Sequence, residues 1–185
     1  MFKWFKASTL DPLSVSMAGV KLADRVLVVG CSDPKLIAAL AVKAGLTGRT
    51  VAIDDASERT KTAERIALQE GALIEAMTAP LATLPLAADT FDVVVLRDVL
   101  RAREPNMRLP VIAEARRVLR PGGRCIVIET IGRSGVAAMF GGKDQSGSVA
   151  SAETIAELQQ VGYVAVRTLA EREGLVFVEA IKRNA

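Results

Sequence analysis

The chain has 185 residues, half of them apolar, with 24 Lys and Arg against 21 Asp and Glu and a formal net charge of +3. That length allows one domain with a sizeable core, and a small, interspersed charge gives nucleic-acid binding no special support, so no nucleic-acid partner is expected. The absence of histidine removes imidazole acid–base chemistry and argues against a catalytic zinc site; no metal is expected. Cys31 and Cys125 are the only cysteines, too few for a disulfide framework, which makes a reducing, cytoplasmic setting the expectation. No apolar run approaches the roughly 20 residues of a membrane span.

Residues 1–22 read as an N-terminal arm with one helical turn after Pro12, ahead of a single domain over 23–185. The first six residues, Met1 to Lys6, form a short amphipathic stretch of aromatic and basic side chains; they suit a membrane surface, a partner or a loosely packed arm. Arg25–Val29 is a compact, β-branched strand. Asp33 is placed to cap a helix over Pro34–Ala44, with proline in the favoured first position and Gly45 and Gly48 as its end. Thr50–Ile53 reads as a second strand. Ser57 is expected to cap a helix running to about Glu70, and Gly71 stops it. Ala72–Met77 and Phe91–Leu96 read as the third and fourth strands.

Met107–Leu119 has helical spacing, and Pro121 cannot continue it. Gly122 and Gly123 permit a sharp reversal into a fifth, buried strand over Arg124–Glu129. The Gly- and Ser-rich stretch 132–150 reads as a mobile loop and lid. A helix follows over Ser151–Gln160, then strands near Tyr163–Leu169 and Leu175–Ile181. The connection Ala170–Gly174 is too short for a parallel crossover, so the last two strands pair antiparallel.

Strands alternating with helices imply an α/β, doubly wound sheet. In such a sheet ligands bind beyond the carboxyl ends of the strands, at the switch point. That rule gathers Gly30–Ser32, Asp54–Asp55, Met77–Leu81 and Arg97–Asp98 around one crevice. Gly30 offers close backbone approach beside a helix N-terminus. Asp54 ends the second strand, where a carboxylate can accept from two adjacent hydroxyls, although strand-end Asp residues also begin turns and cap helices. Arg97 and Asp98 could position a polar acceptor, act as a base, or form a surface ion pair. Cys31 and Cys125 lack a histidine partner and read as small hydrophobes.

Three stretches resemble class I S-adenosylmethionine (SAM)-dependent methyltransferases: Glu114-Ala-Arg-Arg-Val-Leu-Arg-Pro-Gly-Gly-Arg-Cys-Ile-Val-Ile-Glu129, Ala88-Asp-Thr-Phe-Asp-Val-Val-Val-Leu-Arg-Asp-Val-Leu100 and Leu81-Ala-Thr-Leu-Pro-Leu86. The resemblance implies a Rossmann-like, seven-stranded sheet of order 3-2-1-4-5-7-6 with strand 7 antiparallel. It implies SAM as cofactor, with S-adenosylhomocysteine as product. It also implies a cofactor site at Gly30, Cys31, Ser32, Asp54, Asp55, Leu81 and Arg97. In it Asp54 would hold the ribose with Asp55 as reserve, and the Leu81 amide would meet the adenine. Asp92 would serve structure at the strand entrance. No catalytic residue is assigned, because in-line positioning does much of the work of methyl transfer.

The family's glycine-rich loop is altered here: Val28 stands for its acidic residue, and Ser32 and Pro34 for its second and third glycines. Pro80 stands where the adenine-contacting acid would fall. Two functions therefore compete, a methyltransferase acting on a small-molecule acceptor and a non-catalytic binding or scaffold protein of the same fold. A nicotinamide-dependent oxidoreductase fits less well, since its motif needs glycine at Ser32 and Lys35. A homodimer is left open.

Overall fold

A computed structural model describes residues 12–131 and 145–184. In it the chain runs α1 (Leu13–Ala18), β1 (Arg25–Val29), α2 (Pro34–Ala44), β2 (Arg49–Asp54), α3 (Ser57–Gln69), β3 (Glu75–Thr78), β4 (Phe91–Arg97), α4 (Pro105–Val118), β5 (Leu119–Thr130), α5 (Gln145–Gln160), β6 (Tyr163–Arg172) and β7 (Leu175–Lys182). The seven strands form one sheet of order β3-β2-β1-β4-β5-β7-β6. Pairings from β3 through β5 are parallel, and β7 runs antiparallel to both β5 and β6. This is the expected doubly wound order with its antiparallel strand.

The central strands are buried on both faces, and their period of two divides them between two cores. Leu27, Val29, Val51, Ile53, Val94 and Leu96 pack on one face of the sheet. Val26, Val28, Ala52, Val93, Val95, Ile126 and Ile128 pack on the other. Val28, where the resemblance leads one to look for an acid, is thus a fully buried core residue. A carboxylate at that position would have to be desolvated among aliphatic side chains.

Local chemistry sets the ends of most elements. Asp33 caps α2 by accepting from the Leu36 amide at 3.1 Å, and Pro34 takes the first turn; such a cap contributes about 1 kcal/mol. Gly122 turns with φ +75°, and a Cβ on Gly123 would sit 2.9 Å from the Arg120 carbonyl. β5 thus starts at Leu119, which pairs with Phe91, and not at Arg124 as expected, and the turn at Gly122 and Gly123 is an irregularity inside the strand that requires small residues. Asp92 accepts from the Arg25 amide at 2.7 Å and pairs with Arg120, which ties the start of β4 to β1 and to the turn before β5.

Four further expectations are adjusted. The residue before α3 that occupies the cap position is Ala56, without a side-chain bond, and Ser57 is the first helical residue. The Ala56 amide is met instead by Asp54 at 2.9 Å. β3 starts at Glu75, three residues after Ala72, because the Ala72 amide still bonds back to Ala67 at the end of α3. α4 starts two residues early, with Pro105 in its first turn. α5 begins at Gln145, so the expected lid over 132–150 falls partly on helix and partly on 132–144, outside the described residues.

Candidate functional site

Register places the candidate residues side by side. Val29 lies beside Ile53 and beside Leu96. Gly30, Asp54 and Arg97 each follow one of these three residues, so they leave the sheet at one level. Two cavities open there. The smaller, about 70 Å3, is lined by Gly30, Ser32, Asp54, Arg59, Arg97 and Asp98, among others. The larger, about 410 Å3, is lined by Asp55, the Thr78–Ala82 stretch, Arg103, Met107 and Val111.

Gly30 holds φ +92°, and a Cβ built on it would run into the Arg97 carbonyl and lie 2.5 Å from Val99 Cγ1. Its missing side chain thus makes room for the β4 exit. Gly30 itself still lines the smaller cavity. The Gly30 amide donates to the Ile53 carbonyl at 2.8 Å, which fastens the loop to β2.

Asp54 is 2% exposed. One oxygen accepts from the Cys31 amide at 2.7 Å, and the other from the Ala56 amide at 2.9 Å and Arg59 Nε at 2.9 Å. Burial pushes this carboxyl up, and the Arg59 guanidinium with the two amides more than offsets it, so the group titrates below the usual carboxylate value. Arg59 also pairs with Asp55 at 3.0 Å. Arg103 reaches Asp55 from the loop after β4, with its other terminal nitrogen 2.8 Å from the Val99 carbonyl. The two arginines were not singled out in the sequence. The Asp55–Arg59 spacing of four residues was a usable signal, since it brings the two side chains together at the start of a helix. Nothing local marks Arg103.

The β4 exit is equally crowded. Arg97 is 9% exposed; its Nη1 lies 2.6 Å from Asp98 and 3.2 Å from Thr130 Oγ1, and Asp33 approaches Nε at 3.7 Å. Asp98 holds φ +53°, in the left-handed region that Asp tolerates better than most residues. Its carboxylate accepts from the Thr130 amide at 2.7 Å. Ser32 Oγ reaches Asp98 only at 3.5 Å. Behind this pair, Glu129 is 3% exposed and accepts from the Leu100 amide at 2.9 Å. Burial, with Asp98 nearby, pushes Glu129 up to about 7 against the pull of the Leu100 and Arg101 amides.

Leu81, expected to present its amide to a base, is 3% exposed and lines both cavities. Cys31 and Cys125 are buried free thiols, and burial pushes both up to about 12; thiolate chemistry is closed to them. Among the described residues no group of His, Cys, Asp and Glu is placed to hold a metal ion, and no helix is long and apolar enough to cross a membrane.

The crevice fits a nucleoside cofactor in part. Carboxylates stand at the β2 exit, and the larger cavity falls in the volume range of small-molecule sites, ~300–1,000 Å3, with Ala79, Pro80, Leu81 and Met107 as apolar lining. The Gly30 side, at about 70 Å3, is too small for a further ligand moiety in this arrangement.

The family profile described as "Methyltransferase domain" matches residues 27–127. The chain is 31% identical over 118 residues to demethylmenaquinone methyltransferase of Bacillus velezensis, which is 63% of this chain and 50% of that protein. The matched stretches amount to half or less of the curated relatives' lengths. In fold, it is similar to a SAM-dependent methyltransferase of Aquifex aeolicus (TM-score 0.74, 21% identity, 91% of this chain and 87% of that one). It is also similar to a SAM-dependent O-methyltransferase of Thermotoga maritima (TM-score 0.68, 16% identity, 92% and 63%).

Proposed function

Because this chain belongs to the methyltransferase-domain family of class I SAM-dependent methyltransferases, we propose that it transfers a methyl group from SAM to a small-molecule acceptor in a reducing, cytoplasmic setting. The observation that carries this reading is the pair Asp54 and Asp55 at the end of β2, set between the Gly30 loop and a cavity of about 410 Å3. Held there by Asp54 and Asp55 at its ribose and by Leu81 at its base, SAM would supply an electrophilic methyl group and a neutral thioether leaving group to an acceptor whose proton would pass to solvent or a base.

The chain's own residues supply placement. Asp54 and Asp55 offer the carboxylate oxygens that match ribose hydroxyls. Leu81 and Pro80 bound the larger cavity, which suits a flat base. Arg97 and Asp98 stand at the β4 exit, where an acceptor would approach, and their mutual ion pair with Thr130 fixes their direction. The relative named for demethylmenaquinone favours a small organic acceptor over a macromolecule.

A second reading, a non-catalytic binding or scaffold protein, is favoured by one observation: both oxygens of Asp54 already have protein donors. Calorimetric titration with SAM and with S-adenosylhomocysteine separates the two. Micromolar binding is expected, and Asp54→Ala should abolish it. No heat at millimolar ligand, in folded protein, would sink the enzyme reading and leave the scaffold one.

A further inference from the structure

Leu81 and Arg103 are the two residues that line both cavities. Leu81 is buried and apolar. Arg103 is a long side chain, 20% exposed, that spans from the loop after β4 to Asp55 on the β2 side. Its backbone is held by a 3.0 Å bond to the Leu100 carbonyl, and its guanidinium by Asp55 and by the Val99 carbonyl. Arg59 holds the same carboxylate from the opposite side. We propose that Arg103 is a gate on the cofactor crevice: while it holds Asp55 it walls the smaller cavity from the larger, and it must leave Asp55 before one ligand can lie across both.

This inference rests on the reading that the crevice takes a nucleoside cofactor, and it adds which residue controls admission. The latch is built to release. Asp55 is 44% exposed, and an ion pair that open to water is weak and screened by salt. Asp54, by contrast, is sealed at 2% and keeps its two amide donors whatever Arg103 does. The gate therefore moves on one side of a fixed carboxylate. Arg103 competes with the ligand for Asp55, so its removal strengthens binding; a guanidinium that contacted the ligand would weaken binding when removed.

The experiment is calorimetric titration of S-adenosylhomocysteine into the full chain, into Arg103→Gln and into Arg103→Lys, at low and high NaCl, with thermal unfolding run alongside. Arg103→Gln is expected to bind about fivefold more tightly than the wild type, with Arg103→Lys between them. Wild-type affinity is expected to rise about twofold to threefold between roughly 0.05 and 0.5 M salt as the latch is screened, and that rise should vanish in Arg103→Gln. Binding by Arg103→Gln alone also supports the gate. Wild-type binding that Arg103→Gln leaves unchanged or weakens overturns the gate and leaves the methyltransferase reading standing. No binding by any of the three overturns both. Should Arg103→Gln fail to fold, the wild-type salt series decides: affinity that is flat or falls with salt overturns the proposal.

Discussion

The two ends of the crevice are built on different terms. On the Gly30 side, backbone and charged groups interlock: the Arg97 carbonyl fills the space a Cβ would take, Asp54 holds the loop amide of Cys31, and Asp98 is stitched to Thr130. On the Leu81 side the lining is largely short and apolar, and the polar closure rests on the partly exposed Asp55. One end is fixed by a dense set of hydrogen bonds, with the buried Arg97 Nε as a polar atom they leave unpaired, and the other is left to side chains that can move. A ligand that uses both would be positioned by the first and admitted by the second.

Substitutions can break this contrast. Gly30→Ala should do most harm, because φ +92° and the Arg97 carbonyl both oppose a side chain; a loss of about 4 kcal/mol is expected in urea unfolding. A loss under about 1 kcal/mol would mean the fixed end yields after all.

Asp54→Ala leaves the Cys31 and Ala56 amides and Arg59 without their acceptor, and about 3 kcal/mol should be lost at neutral pH. The sign of its pH dependence is set by its lowered titration. The stabilisation is present above the unfolded carboxylate's value and disappears as pH falls through the folded one. The gap between wild type and Asp54→Ala should therefore close in acid, below about pH 4. Asp55→Ala, on the open side, should cost less than about 1 kcal/mol. Equal losses at Asp54 and Asp55 would erase the distinction between the two ends.

Glu129 tests the support beneath the fixed end. Its titration is raised to about 7, so whatever stability the neutral form gives is full below the ordinary glutamate value and lost as pH rises through about 7. Glu129→Gln should therefore gain about 2 kcal/mol on wild type between pH 5 and pH 8. Parallel stability curves in this window would show that the group ionises freely. The smallest effect belongs to Ser32→Ala, whose hydroxyl reaches Asp98 only at 3.5 Å; less than about 0.5 kcal/mol should change.

Much of this was legible in the sequence where one residue decides. Asp33 followed by Pro34 fixes the start of α2, and the β-branched runs fix β1 and β4 at their observed starts. β3 was misplaced at its start because Ala72, Leu73 and Ile74 look like strand. Yet Ala72 still finishes the turn after α3, and Leu73 is 73% exposed. The carboxylates of the site could be read from strand ends. The arginines that engage them could not, because Arg103 meets Asp55 across 48 residues of chain, through the packing of two loops.

The strand order carries a consequence for how the molecule is made. The amide of Arg25 is bonded to Asp92, 67 residues later, and β1 cannot acquire β4 as its second neighbour until that stretch has left the ribosome. Until then β2 can pair with β3, but the other side of β1 is a bare sheet edge open to solvent. Chaperone capture or aggregation during synthesis should peak in that interval and fall once β4 is available, which stalled nascent chains of graded length would register as a step in protease resistance.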